Sequence, residues 1–356
     1  MYKNRAWSIW IALAILTSVL VGCIAPASPA IEENATETLD TETLDEVNVA
    51  IVFISPLEEP WNLSLLSGFD RVIAEQPDGL TITYDYAENL FGAEAEQALR
   101  TFAETGKYEI IWAHSTFSDQ VKNLYQEFPD IQWVLTGSGN EGFGENVYWL
   151  YMNVHEPAYL LGITAGMMTE TDVVGVVAAY PTGDVNSDIN GFIQGAKAAN
   201  PETQVKVTYI ESWFDPPKAK EAAAAQVAAG ADFIYAERFG PFEACQELGC
   251  MAYGHLTDQE ALSPEVVVSS AVALWDPAIM YILDEWQAHR ESGEPFNAPT
   301  DFTRFLMKDG AGDIASFYDL ADEMPVEVIM AVEEARTAIM AGELEVLLDE
   351  EMAVSE

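Results

Sequence analysis

The stretch "QVKVTYIESWFDPPKAKEAAAAQVAAGADFIYAE" (204–237) contains one complete strand–helix–strand unit. Its first part, 204–212, is rich in β-branched residues, and its last part, 232–237, is a short apolar run. Between them Pro216 opens an alanine-rich helix that ends before Gly230, which suits a helix C-terminus. The returning helix lets the two strands run in the same direction, so the unit predicts a parallel sheet.

The same alternation continues through most of the chain from Val47 onward. Strands are predicted at 47–54, 80–86, 109–113, 131–136, 146–153, 173–179, 204–212, 232–237, 250–254 and 265–272. Helices are predicted at 61–76, 92–106, 117–128, 156–169, 187–199, 217–229, 239–248, 275–292 and 326–341. Apolar strands that alternate with helices are typical of a parallel sheet covered on both faces. So many strands exceed one such sheet, and the sequence predicts an α/β fold of two doubly wound lobes.

The charge of the chain limits its partners. The 356 residues include 59 acids and 15 bases, which gives a formal net charge of −44. Such a chain repels phosphate backbones and anionic lipids, so we expect no nucleic-acid partner. The acidity improves solubility, and it also suits a salty environment.

The N-terminus has the pattern of an export signal. Lys3 and Arg5 precede a short apolar run that ends in Leu-Val-Gly-Cys at Cys23. The run is short for a membrane span and suits a signal peptide over 1–23. Its end resembles the lipobox of bacterial lipoproteins, in which the cysteine is lipidated; the alternative is a plain signal peptide. The acidic segment 24–46, with its repeated TETLD, is predicted to be a disordered tether.

The carboxyl ends of the strands are where a ligand is expected in an open parallel sheet. Trp61 and Asn62 follow the first predicted strand, and Trp213 follows the seventh. Acids and aromatics also follow the third, eighth and ninth strands. Each has a simpler explanation: a lone tryptophan often packs in the core, and Asp119 or Asp215 suits the first turn or the cap of a helix.

Catalysis and metal binding have little support in the sequence. The histidines are His114, His155, His255 and His289, and no HExxH, CxxC, GxSxG or P-loop motif occurs. We therefore predict no enzyme activity, no catalytic residue, no metal site and no cofactor. Cys245 and Cys250 are close enough in sequence to form a disulfide, and the sequence leaves this open.

Several stretches, in their order and spacing, resemble the basic membrane lipoproteins. They include "PWNLSLLSGFDR", "FSDQVKNLYQEFPDIQWVLTG", "YLLGITAGMMTETDVVGVV", "INGFIQGAKAANPETQVKV", "LSPEVVVSSAV" and "MPVEVIMAVEEARTAIMAGELEV". These are extracytoplasmic binding proteins of ABC importers for purine nucleosides and nucleobases. The resemblance implies a type I periplasmic-binding-protein fold, in which three hinge strands join two Rossmann-like lobes. We expect lobe 1 at 47–150 plus 273–346, lobe 2 at 151–272, and an acidic C-terminal tail at 347–356.

The resemblance also implies a purine held between aromatic rings, with carboxylates and amides reading its edge. The implied ligand-binding residues are Trp61, Asn62, Phe117, Asp119, Trp213, Phe214, Asp215, Glu237 and Asp258. The implied partners are a purine, an ABC permease in the membrane and the lipid on Cys23. Two departures from the family pattern, "LEEPWN" before the first helix and Ala273 in place of a hinge lysine, disfavour ribose contacts. The Trp61 and "SWFDP" pattern resembles family members that take the free base. Of the pair Trp213 and Phe214, we expect the tryptophan to face the ligand.

Other functions remain open at this point. The same fold binds other small polar solutes such as sugars, whose sites combine aromatic faces with arginine and several acids or amides. An extracytoplasmic purine-processing enzyme that uses carboxylates is a second alternative. A surface adhesin or antigen is a third.

Overall fold

The structure is a computed structural model that describes residues 46–355. The predicted signal peptide 1–23, the predicted lipidation site Cys23 and the predicted tether up to residue 45 lie outside the described residues. Within residues 46–355, no helix combines the length and the apolar character that a membrane crossing requires.

The described chain alternates strands and helices along its length. The strands are β1 (Glu46–Phe53), β2 (Thr81–Ala87), β3 (Ile110–His114), β4 (Gln132–Thr136), β5 (Val147–Met152), β6 (Val173–Ala178), β7 (Gln204–Tyr209), β8 (Phe233–Ala236), β9 (Met251–Leu256), β10 (Val267–Ala273), β11 (Thr303–Phe305) and β12 (Gly312–Ile314). The helices are α1 (Pro60–Glu75), α2 (Gly92–Glu104), α3 (Ser118–Lys122), α4 (His155–Met168), α5 (Gly183–Ala199), α6 (Pro216–Ala228), α7 (Pro241–Leu248), α8 (Asp276–Ser292) and α9 (Val326–Met340). Every predicted strand and helix is present, and β11 and β12 are additional.

The strands form two sheets with matching orders. One sheet runs β2-β1-β3-β4-β5-β11 and the other β7-β6-β8-β9-β10-β12. All neighbours are parallel except β10 and β12, which are antiparallel. The predicted α/β fold of two doubly wound lobes is confirmed, and its architecture is the type I periplasmic-binding-protein fold. In each sheet the order reverses beside the first strand of that lobe, which is the usual position of a ligand site.

The boundaries of the lobes differ from the expected ones. The first lobe contains β1–β5, β11, α1–α3 and α8; the second contains β6–β10, β12, α4–α7 and α9. The chain therefore crosses between lobes after β5, after β10 and after β11. The expectation that 273–346 belongs to lobe 1 fails beyond β11, because Val328, Val332 and Ile339 of α9 are buried in the core of the second lobe.

The last residues of the chain also pack on the second lobe. Segment 347–356 was expected only as an acidic tail, but through residue 355 it lies along α5. Asn190 Nδ2 donates to the carbonyls of Asp349 and Glu351, each at 2.9 Å. Ala353 is buried in the same core. The backbone carbonyls rather than the acidic side chains accept these hydrogen bonds. The charge pattern of the segment therefore could not predict that it packs on the second lobe.

Two local features explain smaller differences from the sequence. The helix predicted at 117–128 is regular only to Lys122, because Asn146 Nδ2 instead pairs with the carbonyls of Tyr125, Phe128 and Ile131. The disulfide that the sequence left open is present: Cys245 and Cys250 join the end of α7 to the start of β9, with their Cα atoms 4.4 Å apart.

We expect the free energy of unfolding to rise as sodium chloride is raised from about 0.1 M to about 1 M. A net charge of −44 repels itself in the compact state. Over this range the screening length falls from about 10 Å to about 3 Å, which weakens that repulsion. Urea unfolding midpoints, measured at each salt concentration, test this expectation. A midpoint that stays constant or falls would contradict it.

Candidate functional site

A cleft lies between the two lobes, where the carboxyl ends of the two sheets meet. Its empty volume is about 610 Å³, part of it open to solvent. Its walls come from segments that follow β1, β3 and β4 in the first lobe and β6, β7, β8 and β9 in the second. The position is the reversal point of both sheets, where ligands of open parallel sheets bind.

Trp61 forms the aromatic wall of the first lobe. It is the second residue of α1, and its backbone N–H donates to the Glu59 carboxylate at 3.1 Å. Its ring stacks on His114 with centroids 4.8 Å apart and an interplanar angle of 16°, and Trp275 meets it edge-on at 5.0 Å. These neighbours fix the ring in one orientation while leaving it part of the cleft wall.

His114 supports Trp61 as an uncharged ring. Burial lowers the pKa of His114 to about 3. Its Nε2 lies 3.2 Å from the Trp61 carbonyl, and its Nδ1 lies 3.0 Å from the Thr136 hydroxyl. A neutral imidazole that donates from Nε2 and accepts at Nδ1 satisfies both contacts. The role of this histidine is to hold the tryptophan.

Trp213 forms the aromatic wall of the second lobe. It follows β7 and lies half-buried beside Tyr180, with ring centroids 5.0 Å apart. The guanidinium of Arg238 lies 5.8 Å from its ring centroid, and Arg238 Nη1 donates to its carbonyl at 3.3 Å. Each lobe therefore contributes one tryptophan to the same cleft.

Buried ionisable groups line the second-lobe side between these walls. Glu237 and Asp188 are each under a tenth exposed, and His255 Nε2 lies 3.7 Å from a carboxylate oxygen of both. Burial raises the pKa of Asp188 well above its usual value, with added repulsion from Asp184 and Glu237. Burial also raises the pKa of Glu237, although Arg238 opposes the shift. Burial and then Arg238 lower the pKa of His255, so it is neutral at pH 7.

Two hydrogen-bonded bridges cross the cleft from lobe to lobe. Arg238 of the second lobe pairs with Glu59 of the first at 2.9 Å, and both side chains are under a tenth exposed. Asp184, near the start of α5, accepts from the Ser138 backbone N–H at 3.1 Å and from its hydroxyl at 2.5 Å. The lobes are thus in direct contact at two places across the cleft, in a closed arrangement.

The charges of the cleft favour a ligand that donates hydrogen bonds. The carboxyl groups of Glu59, Asp184, Asp188 and Glu237 line it, and Arg238 is the cation among its lining residues. Carboxylates accept from N–H and O–H groups. A phosphorylated or otherwise anionic ligand would be repelled, because acids outnumber bases here.

Three of the predicted site residues line the cleft: Trp61, Trp213 and Glu237. Asn62 does not line the cleft, so the expectation that it contacts the ligand is corrected. It is fully buried, and its Nδ2 donates to Ser55 and to the Pro56 carbonyl at 2.8 Å. It therefore holds the turn between β1 and α1. Phe117 is also placed elsewhere, since only 1% of it is exposed and it packs in the core of the first lobe.

The other predicted residues lie outside the cleft lining and have structural contacts of their own. Phe214 stacks on Phe239 with ring centroids 6.0 Å apart. Asp215 caps α6 by accepting from the Lys218 N–H at 3.1 Å. Asp119 is an exposed residue in the first turn of α3. Asp258 is exposed and accepts from the Tyr318 hydroxyl. The three acids therefore lie at helix starts and in a loop, where acids are common for reasons unrelated to ligands.

The sequence interpretation missed several cleft residues as ligand contacts. Asp184 and Asp188 lie at the start of α5, which begins four residues earlier than predicted. Ser138 lies in the glycine-rich stretch 137–146, which follows β4. The signal that could have found them is position: each follows the carboxyl end of a strand, β6 or β4. Among residues 46–355, no group of three or more His, Cys, Asp or Glu side chains is arranged to hold a metal ion.

A two-lobed α/β fold with a closed cleft between the lobes is typical of solute-binding proteins. The chain belongs to the Bmp family, described as ABC transporter substrate-binding protein PnrA-like, whose profile matches residues 47–297. Binding proteins of ABC importers are extracytoplasmic, bind a small molecule and work with a membrane permease. The family and the fold are those of solute-binding proteins rather than enzymes.

Individual relatives agree with this assignment. The chain is 26% identical over 306 residues to a purine-binding protein of Brucella abortus, covering 84% of this chain and 83% of the relative. It is 29% identical over 255 residues to a putative ABC transporter glucose-binding protein of Haloferax volcanii, covering 68% of this chain and 63% of the relative. Among solved structures, an ABC transporter solute-binding protein from Conexibacter woesei superposes with a TM-score of 0.66 at 21% identity, covering 85% of this chain and 98% of that one. The last likeness concerns the fold alone.

Proposed function

We propose that the protein captures a purine, and a free nucleobase in preference to a nucleoside, in the cleft between its lobes. The observation that carries the proposal is the pair of tryptophans, one from each lobe, in a single cleft that is lined by carboxyl groups. A flat base stacked on an aromatic ring gains about 1–3 kcal/mol. Its N–H groups donate hydrogen bonds, which the carboxyl groups of Asp188 and Glu237 accept.

The comparison with the Brucella relative supports a purine, since that protein is named as a purine-binding protein. The closed arrangement of the lobes agrees with a small ligand. Arg238 and Glu59 occupy part of the interlobe space, which agrees with a base that lacks its ribose. Closing two lobes over a ligand changes the shape of the protein, and a permease can detect this change.

The same proposal includes attachment to the membrane. Signal-peptide cleavage before Cys23 and lipidation of that cysteine would anchor the protein to the cell membrane, with 24–46 as a spacer. The support is the pattern of residues 1–23 alone. Mass spectrometry of the N-terminal peptide from the native host tests this part separately, and an unmodified Cys23 would contradict it.

A sugar is the second candidate ligand, because one observation favours it. Arg238 and several carboxylates line the cleft next to the tryptophans, and sugar sites combine such groups. The Haloferax relative is named as a putative glucose-binding protein. A hexose would use its hydroxyl groups as donors to the same carboxylates.

A thermal-shift panel on the full-length protein separates these candidates. We expect adenine, guanine or hypoxanthine at about 100 times its Kd to raise the melting temperature by about 5–10 °C, because a ligand that binds only the folded state stabilises it. Adenosine, guanosine and D-glucose at the same concentration as the bases are expected to give smaller shifts. A shift with glucose alone would assign the site to a sugar. No shift with any purine would overturn the proposal.

A further inference from the structure

Arg238 makes contacts that reach both lobes from one buried side chain. It directly follows Glu237 at the end of β8, and 7% of its side chain is exposed. Within the second lobe, Nη2 donates to the Glu237 carboxylate at 2.6 Å and Nε donates to it at 3.1 Å. Across the cleft, Nη1 donates to the Glu59 carboxylate at 2.9 Å. The planar guanidinium suits this task, because its donors diverge in fixed directions.

The same side chain links the two aromatic walls of the cleft. One carboxylate oxygen of Glu59 pairs with Arg238, and the other accepts from the backbone N–H of Trp61. Arg238 Nη1 also donates to the carbonyl of Trp213, and its guanidinium lies over the Trp213 ring. A continuous set of contacts therefore runs from Trp61 through Glu59 and Arg238 to Trp213. Each link is a directed hydrogen bond, so the separation of the two tryptophans depends on Arg238.

We propose that Arg238 is a positioning residue that latches the closed cleft and sets the spacing between Trp61 and Trp213. This inference rests on the proposed function in one respect, namely that the cleft closes over a ligand. The latch itself is a property of the lobes and can be measured without any ligand.

Opening the cleft would affect the partners of Arg238 unequally. Glu237 is its neighbour in the chain and stays with it, whereas Glu59 belongs to the other lobe and moves away. Opening also hydrates the separated charges, which compensates for the lost ion pair, so the latch remains reversible. Removing the arginine is different, because closure would then bury Glu59 and Glu237 without a counter-charge. Arg238 therefore allows the cleft to close by compensating the buried carboxyl groups, and it does not prevent the cleft from opening again.

The electrostatics of Glu59 agree with this arrangement. Burial raises the pKa of Glu59 to about 7, and Arg238 opposes that shift. Without Arg238, the closed state would hold this carboxyl in its neutral form or exclude it from the cleft. The other bridge, between Ser138 and Asp184, has no cation and makes no hydrogen bond to either tryptophan.

The test measures the distance between the lobes in the full-length, ligand-free protein. Spin labels are attached at Gln97→Cys on α2 and Glu221→Cys on α6, two exposed positions in different lobes. Cys23 is replaced by serine and Cys245–Cys250 is kept as a disulfide, so that no third thiol is labelled. Electron–electron dipolar spectroscopy then gives the closed fraction. We expect Arg238→Gln and Arg238→Lys to lower it by roughly half or more, since lysine keeps the charge but lacks the fork of donors. Arg336→Lys is the matched control, because its partner Asp313 lies in the same lobe.

A double-variant cycle keeps the proposal testable if Arg238→Gln does not fold. In the Glu59→Gln background, Arg238→Lys is expected to have little further effect, because both changes break the same contact. Adenine release, followed by tryptophan fluorescence, is expected to be about ten-fold faster in Arg238→Lys. An unchanged closed fraction, or effects that simply add, would overturn the latch. If adenine fails to bind the wild type, the purine proposal fails while the distance measurement still decides the latch.

Discussion

Replacing Gly195 by alanine is expected to destabilise the second lobe by about 2–4 kcal/mol. Gly195 lies in α5, which packs against α4 so closely that backbone meets backbone. A Cβ added at Gly195 would lie 1.9 Å from the Tyr159 carbonyl oxygen. The other helical glycines of this contact are equally confined: Gly162, Gly166 and Gly191 would each place a Cβ within 2.3 Å of a backbone oxygen. The obstacle is main chain, so a rotamer change cannot relieve it.

Whether Gly195→Ala raises or lowers stability shows whether helix propensity or packing dominates at this position. Alanine favours a helix interior over glycine by about 1 kcal/mol, so propensity alone predicts a more stable protein. We expect the melting temperature to fall by about 5–10 °C instead. Ala225→Val on the exposed face of α6 is the control, since it adds bulk without a close neighbour and should cost only a few tenths of a kcal/mol. A Gly195→Ala protein as stable as the wild type would contradict the close contact.

The helix contact also matters for the site. Asp184 and Asp188 reach the cleft from the first turns of α5. A shift of α5 away from α4 would move both carboxyl groups and the bridge to Ser138. We therefore expect Gly195→Ala to weaken ligand binding even though Gly195 itself lies outside the cleft lining.

The sequence predicted the sheets well because their signal is local. Continuous apolar strands such as β3 and β8 must be covered on both faces, and helix starts such as Asp215-Pro216 are marked by residue type. β11 and β12 have three residues each, too few to show a strand period. The placement of α9 depends on which core its apolar face meets, and an amphipathic pattern does not carry that information.

The site was predicted only in part for a related reason. Trp61 and Asn62 are adjacent, yet consecutive residues on a helix point in different directions, so one lines the cleft and the other fills the turn beneath it. The bridge between Glu59 and Arg238 joins residues 179 positions apart. It depends on how the lobes close, which no spacing in the chain encodes. Position after a strand located the cleft, but it did not decide which of the neighbouring residues line it.

Replacing either tryptophan of the cleft by alanine is expected to weaken adenine binding by about 5- to 150-fold, which corresponds to about 1–3 kcal/mol of lost stacking per base. Trp213→Ala is easier to interpret, because Trp61 also stacks on His114 and the Trp61→Ala change removes that packing contact as well. Trp61→Phe keeps part of the stack and should lose less affinity than Trp61→Ala.

Isothermal calorimetry with adenine measures these changes, and a melting curve for each variant separates lost binding from lost folding. Phe91→Ala is the control, since that ring is 64% exposed on the first lobe and lies outside the cleft lining. If the base lies between the rings, the double variant loses more affinity than either single variant, because each ring covers its own face of the base. If Trp213→Ala binds adenine as the wild type does while Trp61→Ala does not, the ligand stacks on the first lobe alone, and closure of the second lobe must then rest on the polar groups around Arg238.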